Sequence, residues 1–221
     1  MIDIENVGKA FRKKSGEITW VFRHLDARFQ YNTNIGILGA SGSGKTTLIN
    51  LITGNETPSE GRIVKRASFS WPYSFRGNVS AKLSGIQNTR FLAEVYGRDF
   101  GQVHEFICDF GELGRVIELP MRRWTQEQRN RYSVSALLGM GFDCIVIDDD
   151  IAIGDGAFRR RVVQFFADNR DEMCMIIATA DPSFLPRFCD VGVVLDHRGL
   201  TVAPSIDAAI EQYNLGKRAI A

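Results

Sequence analysis

The stretch Gly39-Ala-Ser-Gly-Ser-Gly-Lys-Thr46 constrains this chain more than any other. It satisfies the G-x-x-x-x-G-K-[ST] pattern of a P-loop. The glycines let the backbone turn so that successive N–H groups face a single phosphate chain. The helix that follows offers its positive end to the same anion. A buried strand is predicted just before the loop, over Asn34-Ile-Gly-Ile-Leu38. Helical spacing follows at Leu48, Ile49, Leu51 and Ile52. The expected ligand is ATP with Mg2+, cradled by Gly39, Ala40, Ser41, Gly42, Ser43, Gly44, Lys45, Thr46 and Thr47. Lys45 would reach the β- and γ-phosphates and act in catalysis, and Thr46 Oγ would bind the metal.

A triphosphate site of this kind needs an acid near the metal. Asp148 closes the apolar run Cys144-Ile-Val-Ile147, so a buried strand is expected to end in a carboxylate. At the end of a central strand beside the P-loop it is suited to the metal's water shell. The next residue, Asp149, is the candidate to orient or deprotonate the attacking water.

The rest of the chain fits an α/β domain around this site. Residues 1–38 read as β-rich, with strands starting at Ile2, Ile4 and Val7 and again at Val21, Phe22 and Leu25. A turn at Pro58-Ser-Glu-Gly61 precedes a short strand at Arg62–Val64. Residues 78–140 change to helical spacing and read as a helical insertion. Ala157–Phe166 reads as a helix, and Cys174–Ala178 and Asp190–Leu195 as buried strands, so a largely parallel sheet is expected. At 221 residues this is one large domain. A net charge of +1 supplies no global basic field, and no nucleic-acid partner is expected. Arg122-Arg123 beside Trp124 reads as a surface helix entry, and Arg159-Arg-Arg161 as a solvated helix start. Cys108, Cys144, Cys174 and Cys189 show no C-x-x-C spacing and read as reduced, partly buried thiols, not a disulfide framework or zinc site. The N-terminus lacks a basic-then-apolar signal pattern, and no apolar run approaches the ~20 residues of a membrane span.

The order of P-loop, helical insertion, acid-ended strand and Ile153-Gly-Asp155 resembles the nucleotide-binding subunits of ABC transporters over nearly the whole chain. The likeness is to the branch that exports capsular and other surface polysaccharides. It is carried by Met1–Val7 with Lys9 and Phe11, by Phe69-Ser-Trp-Pro72, by Phe110-Gly-Glu-Leu-Gly114, by Ile147-Asp-Asp149 with Ile153–Phe158, and by Phe188–Leu195. The resemblance implies a P-loop NTPase fold over residues 1–221, with an N-terminal antiparallel β subdomain and a helical subdomain at about 78–140. It implies that Phe11 stacks on adenine, that Asp148 is the Walker B acid, and that Asp149 holds the catalytic-carboxylate position. Asp155 would sit in a loop at a dimer interface, and Trp71 near the permease. The implied partners are a second ATP-binding subunit and a membrane permease. The chain would then be peripheral on the cytoplasmic face of the inner membrane, touching the membrane only through the permease.

Three departures from the family pattern set a further expectation. The signature loop, Leu-Ser-Gly-Gly-Gln or Tyr-Ser-Ser-Gly-Met in this branch, aligns with Trp124-Thr-Gln-Glu-Gln128, placing Glu127 where a glycine lets main-chain N–H groups approach the opposite phosphate. Ala180 stands where the family has a switch histidine, and none of His24, His104 and His197 aligns there. Asp149 replaces the usual, longer Glu. The expectation is tight ATP-Mg binding with slow hydrolysis by the homodimer. The alternative is a poorly hydrolysing subunit that pairs with a competent paralogue or acts as a regulator. An ABC ATPase acting on DNA or ribosomes fits less well, since the chain has one module and a neutral charge.

Overall fold

The computed structural model describes residues 1–30, 33–73, 79–148, 156–196 and 199–220. In chain order its elements are β1 (Ile2–Arg12), β2 (Ile18–Phe29), β3 (Ile35–Leu38), α1 (Lys45–Thr53), β4 (Glu60–Lys65), α2 (Gly85–Tyr96), α3 (Phe100–Gly111), α4 (Gln126–Gly139), β5 (Cys144–Asp148), α5 (Gly156–Asp168), β6 (Cys174–Thr179), β7 (Val191–Asp196), β8 (Gly199–Ala203) and α6 (Ile206–Ile220). They fall into two compact units. One comprises Met1–Pro72, Asp143–Asp150 and Arg170–Ala221, and the other Tyr73–Phe142 and Ile151–Asn169.

The first unit holds both sheets. β2, β1 and β4 form an antiparallel sheet in that order, and β5, β6, β3, β7 and β8 form the second. β3 pairs in parallel with both β6 and β7, β5 pairs in parallel with β6, and only β8 runs antiparallel, against β7. Every residue of β3 and β5 is buried, which is why these strands read as continuous apolar runs without alternation. One core joins the two sheets: Ile4, Val7 and Leu25 from the first, Ile37, Val146 and Ile176 from the second, and Leu48, Ile49 and Ile52 from α1. Two glycines let α6 lie against the parallel sheet. A Cβ on Gly192 would come within 2.1 Å of Ala209 Cβ, and one on Gly36 within 2.8 Å of Ile206.

The second unit is helical. α2 and α4 each begin with a reciprocal capping box, Ser84 with Gln87 and Thr125 with Gln128, and Asp99 caps α3. Edge contacts of Phe110 with Phe158 and Phe165, and of Phe106 with Phe165, join α3 to α5. Tyr132 on α4 is fully buried, and its hydroxyl lies 3.0 Å from Thr89 Oγ1 on α2.

Two features depart from the sequence reading. β8 and α6 follow Leu195, where the pattern assigned no element. Ile206, Ala209 and Tyr213 are nonetheless buried at helical spacing, and Ser205 Oγ accepts from Ala208 N at the helix start. The second departure is at the cysteines. Cys144 and Cys174, read as reduced thiols, are joined in a disulfide between β5 and β6. They are 30 residues apart in sequence, and only the register of the two strands makes them neighbours.

Candidate functional site

The P-loop connects β3 to α1 at the C-terminal edge of the parallel sheet. Gly42 and Gly44 adopt φ of +80° and +99°, in the left-handed region that glycine tolerates at little cost. Ser43 N donates to Ala40 O at 3.1 Å and closes the turn. β2 passes beneath the loop, where a Cβ on Gly44 would come within 2.7 Å of Val21 and 3.0 Å of Phe22. A Cβ on Gly39 would meet Ser43 Oγ at 2.3 Å and the Leu195 carbonyl at 2.7 Å. Gly42 by contrast has nothing within 4 Å of its Cβ position. The loop is therefore packed on its inner side and open at its crest.

These residues fit a phosphate ligand. α1 begins at Lys45 with Gly44 as its N-cap, and Gly44 brings no side chain to cap the helix. Ser43 Oγ is buried and without a hydrogen-bond partner. An oxyanion seated on the open face of Gly42 would meet a helix start that no N-cap side chain occupies. Lys45 Nζ donates to the carbonyls of Gly39, at 2.9 Å, and Ala40, at 3.1 Å, and so lies folded over the loop. Ala40, Ser41, Gly42 and Thr46 are exposed, and Thr47 is half-buried.

Asp148 ends β5 and is buried. Its register partner on β6 is Ala178, and the next β6 residue, Thr179, pairs with Leu38, the residue before the P-loop. One strand thus separates Asp148 from the loop, about 10 Å at the usual strand spacing. Asp149 and Asp155 lie outside the described residues, so the geometry expected of them is not on view. Phe11 is 44 % exposed near the end of β1 and carries Lys9 Nζ 4.9 Å from its ring centroid. Phe11 pairs with Thr19 on β2, and Lys9, two residues before it, pairs with Phe22.

β5 carries more than Asp148. On its outer side Cys144 N donates to Ser68 O and Ser70 N donates to Cys144 O, a one-residue parallel bridge at Phe69. The buried Ser70 hydroxyl accepts from Val146 N and donates to the Trp71 carbonyl, both at 2.9 Å. The segment leading to Trp71 is thereby tied to the strand that carries the acid. The loop after β6 is tied as well. The Ala180 carbonyl accepts from Tyr213 Oη at 3.1 Å and from Lys217 Nζ at 3.4 Å, both on α6. Asp181, next along, accepts from Ser183, and those bonds hold its carboxyl below the usual range. The sequence reading missed this anchoring because it assigned no helix there.

In the helical unit, the stretch aligned with the signature loop forms the start of α4. Trp124, read with Arg122 and Arg123 as a surface helix entry, is buried in the core with Nε1 donating to Leu119 O. Thr125 is the N-cap, and its Oγ accepts from Gln128 N. Glu127 turns along the helix: its carboxylate accepts from Arg131 Nε at 3.0 Å. Arg131 also pairs with Glu112 at 2.9 Å, and Glu112 with Arg161 at 2.6 Å. Arg161, read as part of a solvated helix start, also donates to the Phe110 carbonyl and so closes the end of α3. The carboxylate expected to crowd a phosphate is thus opposed by a guanidinium one turn along its own helix. The hydrogen bond from Arg131, followed by the hydrogen bond and charge of Arg161, holds the Glu112 carboxyl below its ordinary range.

Comparison with known proteins places this arrangement. The family model described as ABC transporter matches residues 22–139, just over half the chain, including the P-loop and the start of α4. This chain belongs to the ABC transporter family. It is 33 % identical over 214 residues to the capsule polysaccharide export ATP-binding protein CtrD of Neisseria meningitidis serogroup B, covering 97 % of this chain and 99 % of that one. It is 34 % identical over 214 residues to the ATP-binding protein BexA of Haemophilus influenzae, covering 97 % and 98 %. Among solved structures, the ATP-binding cassette MJ0796 in a dimeric post-hydrolysis state bound to ADP and Pi superposes with a TM-score of 0.74. The two share 19 % identity over 89 % of this chain and 94 % of that one, a likeness of fold. The family is one of ATP hydrolases built on this P-loop fold. Among the described residues no helix is long and apolar enough to cross a membrane.

Proposed function

We propose that this chain is the ATP-binding subunit of an exporter of capsular or other surface polysaccharide. The observation that carries the reading is that the likeness to CtrD and BexA runs from end to end of all three chains, with none of them longer than the match by more than a few per cent. The chain works as one of a pair, docked on a membrane permease at the cytoplasmic face of the inner membrane. Its second unit is the helical subdomain, and Trp71 lies on the permease side.

The chemistry is in-line attack of water on the γ-phosphate. The main-chain amides of Gly39–Thr46 and the start of α1 hold the phosphate chain. Lys45 leaves the Gly39 and Ala40 carbonyls for the β- and γ-phosphate oxygens and stabilises charge as it shifts in the transition state. Thr46 Oγ and Asp148 would hold Mg2+, which when bound would supply charge neutralisation to the phosphates. Asp149 orients the water, and Phe11 stacks on the base. Turnover by the isolated pair is slow, because Ala180 brings no side-chain donor and Asp149 is one methylene short.

The test is co-expression with a candidate polytopic permease, followed by affinity purification and a steady-state ATPase assay. We expect the two chains to co-purify, with Mg-dependent turnover that the permease accelerates and Asp149→Asn abolishes. Fast turnover by the lone chain would refute the slow-hydrolysis reading. Failure to retain any polytopic partner would remove the exporter assignment and favour the regulatory alternative.

A further inference from the structure

Cys144 and Cys174 are the first residues of β5 and β6, and they are register partners in a parallel pair with Cα atoms 4.5 Å apart. That separation lies within the span a disulfide can bridge without backbone movement. The pair sits at the N-terminal edge of the sheet, and the P-loop at the opposite, C-terminal edge. The two residues differ in exposure. Cys144 is fully buried, whereas Cys174 is half-buried and lines a small cleft with Phe29, Thr33, Phe69 and Asp143.

We infer that Cys144 and Cys174 form a reversible dithiol–disulfide site, entered through Cys174, that exchanges with small-molecule disulfides of the glutathione type. The steps balance without any other reagent. The Cys174 thiolate attacks one sulfur of the external disulfide, forming a mixed disulfide and expelling one small thiolate, which takes up a proton. The Cys144 thiolate, held beside it by the strand register, attacks the Cys174 sulfur and expels the second small thiol. Two protein thiols are oxidised and one external disulfide is reduced to two thiols. A buried resolving cysteine beside a half-buried one, in register on the neighbouring strand, suits this exchange.

The remaining cysteines serve as internal controls. Cys189 is buried, and burial pushes its thiol up to about 12. Cys108 is half-buried, and burial followed by the neighbouring Asp109 raises its thiol also. The consequence of closure follows from the hydrogen bonds of Cys144. Its backbone ties the Ser68–Ser70 segment to β5, and the bridge cross-links β5 to β6, with which it is already paired. Closure therefore stiffens the sheet that carries Asp148 and leaves the phosphate cradle untouched.

The experiment uses the full chain, reduced, freed of reductant and exposed to oxidised glutathione under native conditions. It is then denatured, alkylated and mapped by mass spectrometry without reduction. We expect a linked peptide pair containing Cys144 and Cys174, with alkyl groups on Cys108 and Cys189. The thermal midpoint should rise by roughly 5–10 °C, the scale for a bridge closing a loop of this length in a chain of this size, and fall back with dithiothreitol. Cys174→Ser should abolish both the link and the shift. Four alkylated cysteines, a lasting glutathione adduct at Cys174, or an undiminished shift in Cys174→Ser would each overturn the inference. The peptide map of the unmodified chain decides the matter even where the variant folds poorly.

Discussion

Replacing Lys45 with alanine isolates the charge at the centre of the phosphate site. The Lys45 ammonium donates to the Gly39 and Ala40 carbonyls, and on binding it gives up these two neutral acceptors for charged ones. One unit of phosphate charge at ~4 Å contributes about 4 kcal/mol at an effective dielectric of ~20. Releasing two carbonyl bonds costs about 1 kcal/mol each. The net gain is about 2 kcal/mol, so Lys45→Ala should weaken ATP-Mg binding roughly 30-fold at 1.4 kcal/mol per tenfold. Isothermal titration calorimetry on both proteins gives the two constants directly. The variant should fold normally, because Lys45 is partly exposed at the first turn of α1, whose core contacts come from Leu48, Ile49 and Ile52. A dissociation constant within threefold of the unmodified protein, with an unchanged melting curve, would mean that the loop does not grip the triphosphate as described.

Two further outcomes follow from the packing and the charge network. Glu112 titrates below its ordinary range, so its contribution to stability is present above that range and is lost as pH falls through the lowered value. Urea unfolding between pH 5 and pH 2 should show this loss in the helical unit, and Glu112→Gln should remove that part of the pH dependence; a slope unchanged in the variant would contradict the network. Gly192→Ala places a methyl 2.1 Å from Ala209 Cβ and forces α6 off β7, at a cost of about 1–3 kcal/mol in denaturant titration. If Gly192→Ala is as stable as the parent, the contact between α6 and the sheet is looser than the structure shows.

The amino-acid sequence determined the elements whose pattern is local. Glycines at Gly39, Gly42 and Gly44 ahead of a lysine and a threonine specify a tight turn that opens onto a helix, because each acts through the backbone geometry of its own neighbourhood. The buried strands at Ile35–Leu38 and Cys144–Asp148 were legible for the same reason, since apolar runs of that length have few other uses. The helical character of residues 78–140 was readable from spacing, and the family from the order of its motifs. α6 was missed because its apolar positions are sparse, and only the gap left by Gly36 and Gly192 gives Ile206 and Ala209 something to pack on.

What the tertiary structure alone decided are pairings between residues far apart in the chain. Nothing at Glu127 says which way its carboxylate turns; Arg131, itself fixed by Glu112 from the end of α3, decides it. Nothing at Cys144 or Cys174 names the other as its neighbour. Strand register places their Cα atoms 4.5 Å apart and turns two unremarkable thiols into one chemical unit. The physical reason is common to both. Charge and sulfur chemistry act over a few ångströms of space, while a sequence records separation along the chain, and only the folded sheet or helix pair converts one into the other.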